Sequence, residues 1–110
     1  MTAVIELRVY RLKPDTRDAL HRRFTDEIGP MLARFGITVV AAEPSLHDER
    51  SFTLIRAFPS LADREAQLAR FYGSEEWLIR HDAAVMAMIE QYETCVIDAA
   101  ALANRLPKAR

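Results

Sequence analysis

Apolar and polar residues alternate strictly along Ile5-Glu6-Leu7-Arg8-Val9-Tyr10, so a strand over about residues 3 to 12 has two unlike faces. Ile5, Leu7 and Val9 form one face, which is expected to lie beneath helices. Glu6, Arg8 and Tyr10 form the other, which is expected to be turned toward a second partner. Lys13-Pro14-Asp15 ends the strand, because Pro14 lacks a ladder donor, and Asp15 or Thr16 can cap a helix beginning there. The period then changes. Leu20, Phe24, Ile28, Met31 and Phe35 recur at helical spacing down to Gly36, the expected left-handed terminator, with a kink at Gly29-Pro30.

The β-branched run Ile37 to Ala42 predicts a second strand closed by Glu43-Pro44, and residues 45 to 50 a polar loop. A third strand comes next over 51 to 58, with Phe52, Leu54, Arg56 and Phe58 on one face. A helix from about Leu61 to Phe71 breaks at Gly73. Ser74 then caps another helix, whose Glu75 and Glu76 complement the helix dipole. Trp77, His81, Val85, Met88 and Tyr92 share one face and carry that helix to about Tyr92, ahead of a last strand from Glu93 to about Ala99. The segment from about 101 to 110 has no strong pattern.

The order β-α-β-β-α-α-β predicts one α+β domain over residues 1 to 110, with a ferredoxin-like core from about 3 to 99. Helices on one side leave the other face of the sheet bare, and pairing of two copies through that face, as a homodimer, is the expected remedy.

Composition narrows the partners. Fifteen basic against sixteen acidic residues give a net charge of -1, which argues against nucleic acid or an anionic membrane surface. No apolar run reaches the length of a membrane span, and the first residues meet a charge at Glu6 before a signal-peptide core can develop. Cys95 is the only cysteine, so no intrachain disulfide can form. A reducing, cytoplasmic location is the expectation, with Cys95 packed in its strand.

Three stretches in order, Glu6-Leu7-Arg8-x-Tyr10-x-Leu12-Lys13-Pro14, Phe58-Pro59-Ser60-Leu61-x-x-Arg64-Glu65 and Phe71-Tyr72-Gly73-Ser74-x-Glu76-Trp77, resemble the NIPSNAP family over roughly residues 4 to 98. The resemblance implies the dimeric α-β barrel superfamily, in which two ferredoxin-like sheets close into a barrel across a dimer axis. That superfamily includes cofactor-free monooxygenases, haem-degrading enzymes, isomerases and decarboxylases, and members with no known reaction, so the resemblance implies a fold and no single chemistry. Asp15, Arg56 and Phe58 depart from the family pattern.

Candidate chemistry lies in two places. Trp77 and His81 stand four apart on one helix face, where a flat apolar ligand can stack on the indole and His81 can act as a base toward a phenolic or enolic proton. Arg8 or Arg56 can hold an anionic or enolic oxygen, with Tyr10 donating a hydrogen bond. The same polar strand face also reads as an ion-pair network within a dimer interface, the role expected for it in a face-to-face pair. No cofactor is expected: haem would rest on His81 alone, without a Cys-x-x-Cys-His motif. The scattered His21, His47 and His81 lack metal-ligand spacing. The expected function is a NIPSNAP-like dimeric small-molecule enzyme or binding protein for a small apolar or aromatic ligand, with cofactor-free oxygenase or isomerase chemistry. The alternative is a non-catalytic ligand-binding or interaction module.

Overall fold

A computed structural model of the chain describes residues 2–103 and 105–108. The sheet is organised by its third strand, β3 (Ser51–Phe58), in which buried and half-buried residues alternate without exception. β3 lies between β1 (Val4–Leu12) and β2 (Thr38–Pro44), and β4 (Ile89–Asp98) flanks β1, giving the order β2-β3-β1-β4. All pairs are antiparallel. Helices pack on one side, as a ferredoxin-like α+β fold requires.

The covered side is the reverse of the one expected for β1. The β1–β3 register sets Tyr10 opposite Phe52, Arg8 opposite Leu54, Glu6 opposite Arg56 and Val4 opposite Phe58, and paired residues share a face. Once that register is set, one face carries Phe52, Leu54 and Phe58, and the other carries Ser51, Thr53, Ile55 and Ala57. Burying each large apolar side chain is worth about 1.5–3 kcal/mol, so the phenylalanine-leucine face goes beneath the helices and takes Glu6, Arg8 and Tyr10 with it. Ile5, Leu7 and Val9 therefore point to the open face, where Val9 is 47% exposed.

The first helical segment comprises α1 (Arg17–Arg23), a π turn (Phe24–Ile28) and α2 (Gly29–Arg34). Leu20, Phe24, Ile28, Met31 and Leu32 from it are buried against the sheet. The expected kink at Gly29-Pro30 takes the form of that π turn. The Gly29 N–H donates to Phe24 O five residues back, and a Cβ on Gly29 would stand 3.0 Å from that same oxygen. Gly36 has φ 76° and ends the segment as expected.

Ser60 and Ser74 cap α3 (Leu61–Tyr72) and α4 (Glu75–Arg80), each accepting from the backbone N–H three residues on, Asp63 and Trp77. The helix predicted to reach Tyr92 is interrupted at His81, resumes as α5 (Asp82–Met88) and stops there. Tyr92 lies in β4 opposite Tyr10, and Lys13 N–H donates to Met88 O at the junction. Ladder pairing with β1 overrides the helical spacing of residues 89–92. Cys95 sits opposite Leu7 on the open face and is exposed, rather than packed as expected. A 3-10 turn, Ala99–Leu102, comes after β4, and Ala99 N–H donates to Ala3 O. Among the described residues no helix is long and apolar enough to cross a membrane.

Candidate functional site

Glu6 has no exposed surface, and its carboxylate is fully engaged. Arg56, equally buried, donates to Oε1 from Nε at 2.8 Å and from Nη2 at 2.5 Å, and Arg64 Nε donates to Oε2 at 2.7 Å. Burial would raise the pKa of Glu6, but the charges and hydrogen bonds of Arg56, with Arg8 and Arg64, outweigh it and hold the carboxyl below its usual range. The strand register places Glu6 opposite Arg56, while Arg64 reaches in from α3.

Arg8 is the third guanidinium of the group and is committed differently. Its Nη2 stands 3.7 Å from Glu6 Oε2, an ion-pair distance beyond hydrogen-bond reach. Nη1 donates to the Tyr72 hydroxyl at 3.3 Å and Nε to Thr94 Oγ1 at 3.2 Å. Its guanidinium carbon lies 5.2 Å from the Tyr92 ring centroid and 5.9 Å from that of Tyr72. The Tyr72 oxygen also accepts from Arg56 Nη1 at 2.9 Å. With two donors already on that oxygen, its own O–H is left to donate elsewhere.

Arg8, Tyr72 and Tyr92 border a cavity of about 540 Å³ between the β1–β4 side of the sheet and helices α3 and α5. Tyr10, Trp77, Val85, Met86 and Ile89 add apolar wall, and Arg64, Glu65 and Asp82 bring charge to it. The Trp77 indole N–H donates to Asp82 Oδ1 at 3.1 Å, so that carboxylate is partly occupied by the wall itself. Tyr72 and Trp77 meet edge to face at 4.9 Å, and Tyr10 and Tyr92 tilt against each other at 5.5 Å. Burial chiefly, then Tyr72, pushes the Tyr10 pKa up to about 12, so Tyr10 is a neutral phenol at physiological pH.

Of the residues singled out in the sequence, Arg8, Tyr10 and Trp77 thus border one cavity. Arg56 lies buried behind it, joined through Tyr72. His81 is 1% exposed and lies beside Trp77, their ring centroids 5.8 Å apart, and its Nδ1 is 2.9 Å from Arg23 Nη1. Since a guanidinium only donates, Nδ1 accepts and the proton of the neutral ring sits on Nε2. Burial first, then Arg23, holds the His81 pKa below its usual value. The imidazole is not among the groups bordering the cavity.

Tyr72, Arg64 and Asp82 were not read from the sequence as site residues. A signal for two of them existed: Arg64, Leu68 and Tyr72 recur at intervals of four along α3 and so share the face turned to the sheet. Asp82 gave none, because it comes directly after the helix interruption at His81. Among the described residues no group of three or more His, Cys, Asp and Glu is arranged to hold a metal ion.

The NIPSNAP family model matches residues 5–103. No curated protein matches the chain. Among solved structures, an uncharacterised NIPSNAP-like domain protein from Burkholderia xenovorans superposes with a TM-score of 0.84 at 14% identity, over 96% of this chain and 92% of that one. A NIPSNAP family protein of unknown function from Agrobacterium tumefaciens is 27% identical, with a TM-score of 0.77 over 88% of this chain and 87% of its own. A Nitrosomonas europaea protein provisionally named an antibiotic biosynthesis monooxygenase shares the fold at 15% identity, with a TM-score of 0.67 over 88% and 89% of the two chains.

Proposed function

We propose, from the premise that this chain belongs to the NIPSNAP family, that it is a dimeric small-molecule protein whose cavity takes a small aromatic or apolar molecule bearing an anionic or enolic oxygen. Arg8 carries the reading. Three guanidiniums surround one carboxylate, and the two closest, Arg56 and Arg64, satisfy it. Arg8 is left at the cavity floor with charge to spare, its side chain only 12% exposed. A cation in such a place, with aromatic rings on either side, favours a bound anion more strongly than a surface arginine would. The Tyr72 O–H is placed to add a second donor, and the tyrosine and tryptophan rings supply a flat apolar surface.

The enzymatic form of this reading is cofactor-free oxygenase or isomerase chemistry on the bound molecule. Arg8 would stabilise the enolate or phenolate left by proton loss, and Asp82, a carboxylate on the same wall, is able to take the proton. His81, read from the sequence as the base, has no assigned step in it. A non-catalytic binding module would use the same contacts without turnover.

The experiment compares benzoate with benzamide, which share a ring and differ in charge. The chain has one tryptophan, so the single indole N–H resonance of Trp77 reports on the cavity wall. Benzoate should shift it and bind about tenfold or more tightly than benzamide, and Arg8→Leu should abolish the preference. Equal affinities for the two probes, or a preference that survives Arg8→Leu, would remove the anion-binding reading.

A further inference from the structure

Behind the cavity lies a second, smaller space of about 30 Å³, closed by Leu20, Phe24, Ile28, Leu32, Phe52 and Leu54. It shares five walls with the outer one: Tyr10, Tyr72, Trp77, Val85 and Ile89. The two therefore adjoin along these five residues, three of them aromatic. The helix-facing side of β1 runs along both. From Glu6 through Arg8 and Tyr10 to Leu12 it passes from ionic through amphipathic to aliphatic, and Arg8 and Tyr10 stand two strand residues, about 7 Å, apart. That distance suits one benzene ring with its acid group at the Arg8 end.

We infer that the natural ligand is an aryl acid, or an enol of similar shape, with a short unbranched alkyl group of one to two carbons opposite the acidic oxygen, and that this group occupies the inner space. The inference rests on the anion-binding reading and adds the tail. An empty space of about 30 Å³ has room for little more than a methyl group. Its far wall, Leu20, Phe24, Ile28, Leu32, Phe52 and Leu54, gives no partner to a hydroxyl or amine, and a polar substituent reaching it would lose its water without replacement. The π turn supplies two of its walls, Phe24 and Ile28, the first and last residues of that turn.

The test uses 4-alkylbenzoates from benzoate to 4-butylbenzoate, titrated into the full chain and read by the Trp77 indole resonance and by calorimetry. Affinity should rise about fourfold per carbon to methyl or ethyl, then fall at propyl and butyl. 4-Hydroxymethylbenzoate should bind more weakly than 4-ethylbenzoate. Ile28→Phe should fill the space, remove the alkyl gain and leave benzoate itself bound. Ile28→Val, a milder change, should move the optimum toward the longer chain. Bound benzoate with no dependence on alkyl length, or affinity still climbing at butyl, overturns the inner-tail inference alone. A failure of benzoate to bind overturns the Arg8 reading as well.

Discussion

Glu6 shows how a carboxylate can sit in a core without exposed surface. Removing a lone carboxylate from water costs several kcal/mol, but both oxygens of Glu6 are held by guanidiniums, and the compensation is local. Glu6→Gln breaks this compensation and leaves Arg56 buried beside a neutral amide. A loss of about 3 kcal/mol is expected in urea unfolding at pH 7. Because the folded pKa of Glu6 lies below the unfolded value of 4.5, its stabilisation is complete above that pH and is lost as the pH falls through the folded pKa. Wild type should therefore lose stability on acidification below about pH 4.5 more steeply than Glu6→Gln. Parallel curves for the two proteins would show that Glu6 carries no such linkage.

At the scale of elements, the interruption at His81 shapes the cavity wall. Its φ of −123° separates α4 from α5, and its backbone serves both: its N–H donates to Trp77 O, and its carbonyl accepts from Val85 N–H. The imidazole is tied to Arg23 of α1 and lies near Arg80, Glu27 and Glu76. Neutral His81 fits this site and the protonated ring does not, so its folded pKa is depressed. The resulting stability is present above pH 6.5 and is lost as the pH falls through the folded value. The melting temperature should fall between pH 8 and pH 5.5, and His81→Asn should flatten that fall while lowering the value at pH 8. An undiminished fall in the variant would show that His81 does not carry this linkage. The caps at this scale were legible in the sequence, since Ser74 ahead of two glutamates is a local signal. The break at His81 was not, and neither was the contact its imidazole makes with Arg23, 58 residues away in the chain.

For the whole molecule, the open face of the sheet presents Leu7 and Val9 beside Ile55, Ala57, Cys95 and Ile97, with Ile5 on the same face but buried. We propose a second copy as its occupant, because this largely apolar face lies away from the helices, and a second copy of the same face can cover it under a two-fold rotation. Ile55→Lys should convert a dimer to a monomer in sedimentation while the far-ultraviolet spectrum stays unchanged. A wild type that sediments as a monomer would end the dimer proposal. The interface so proposed is aliphatic, unlike the ionic one that the face assignment from sequence led to.

Local pattern was enough to define the first three strands, the first helical segment and α3, because alternation, helical period, capping serines and Gly36 act within a few residues, but it missed the break at His81 and the start of β4 at Ile89. It also put Glu6, Arg8 and Tyr10 on one face of β1, and Trp77 and His81 one turn apart. Which face of β1 goes beneath the helices was decided only in the folded chain: strand pairing binds β1 to β3, and Phe52, Leu54 and Phe58 outweigh Ile5, Leu7 and Val9 in the area they bury. Alternation defines two faces and carries no information about which will be covered. For the same reason the cavity became visible only when β1, α3, α5 and β4 were brought together around Arg8.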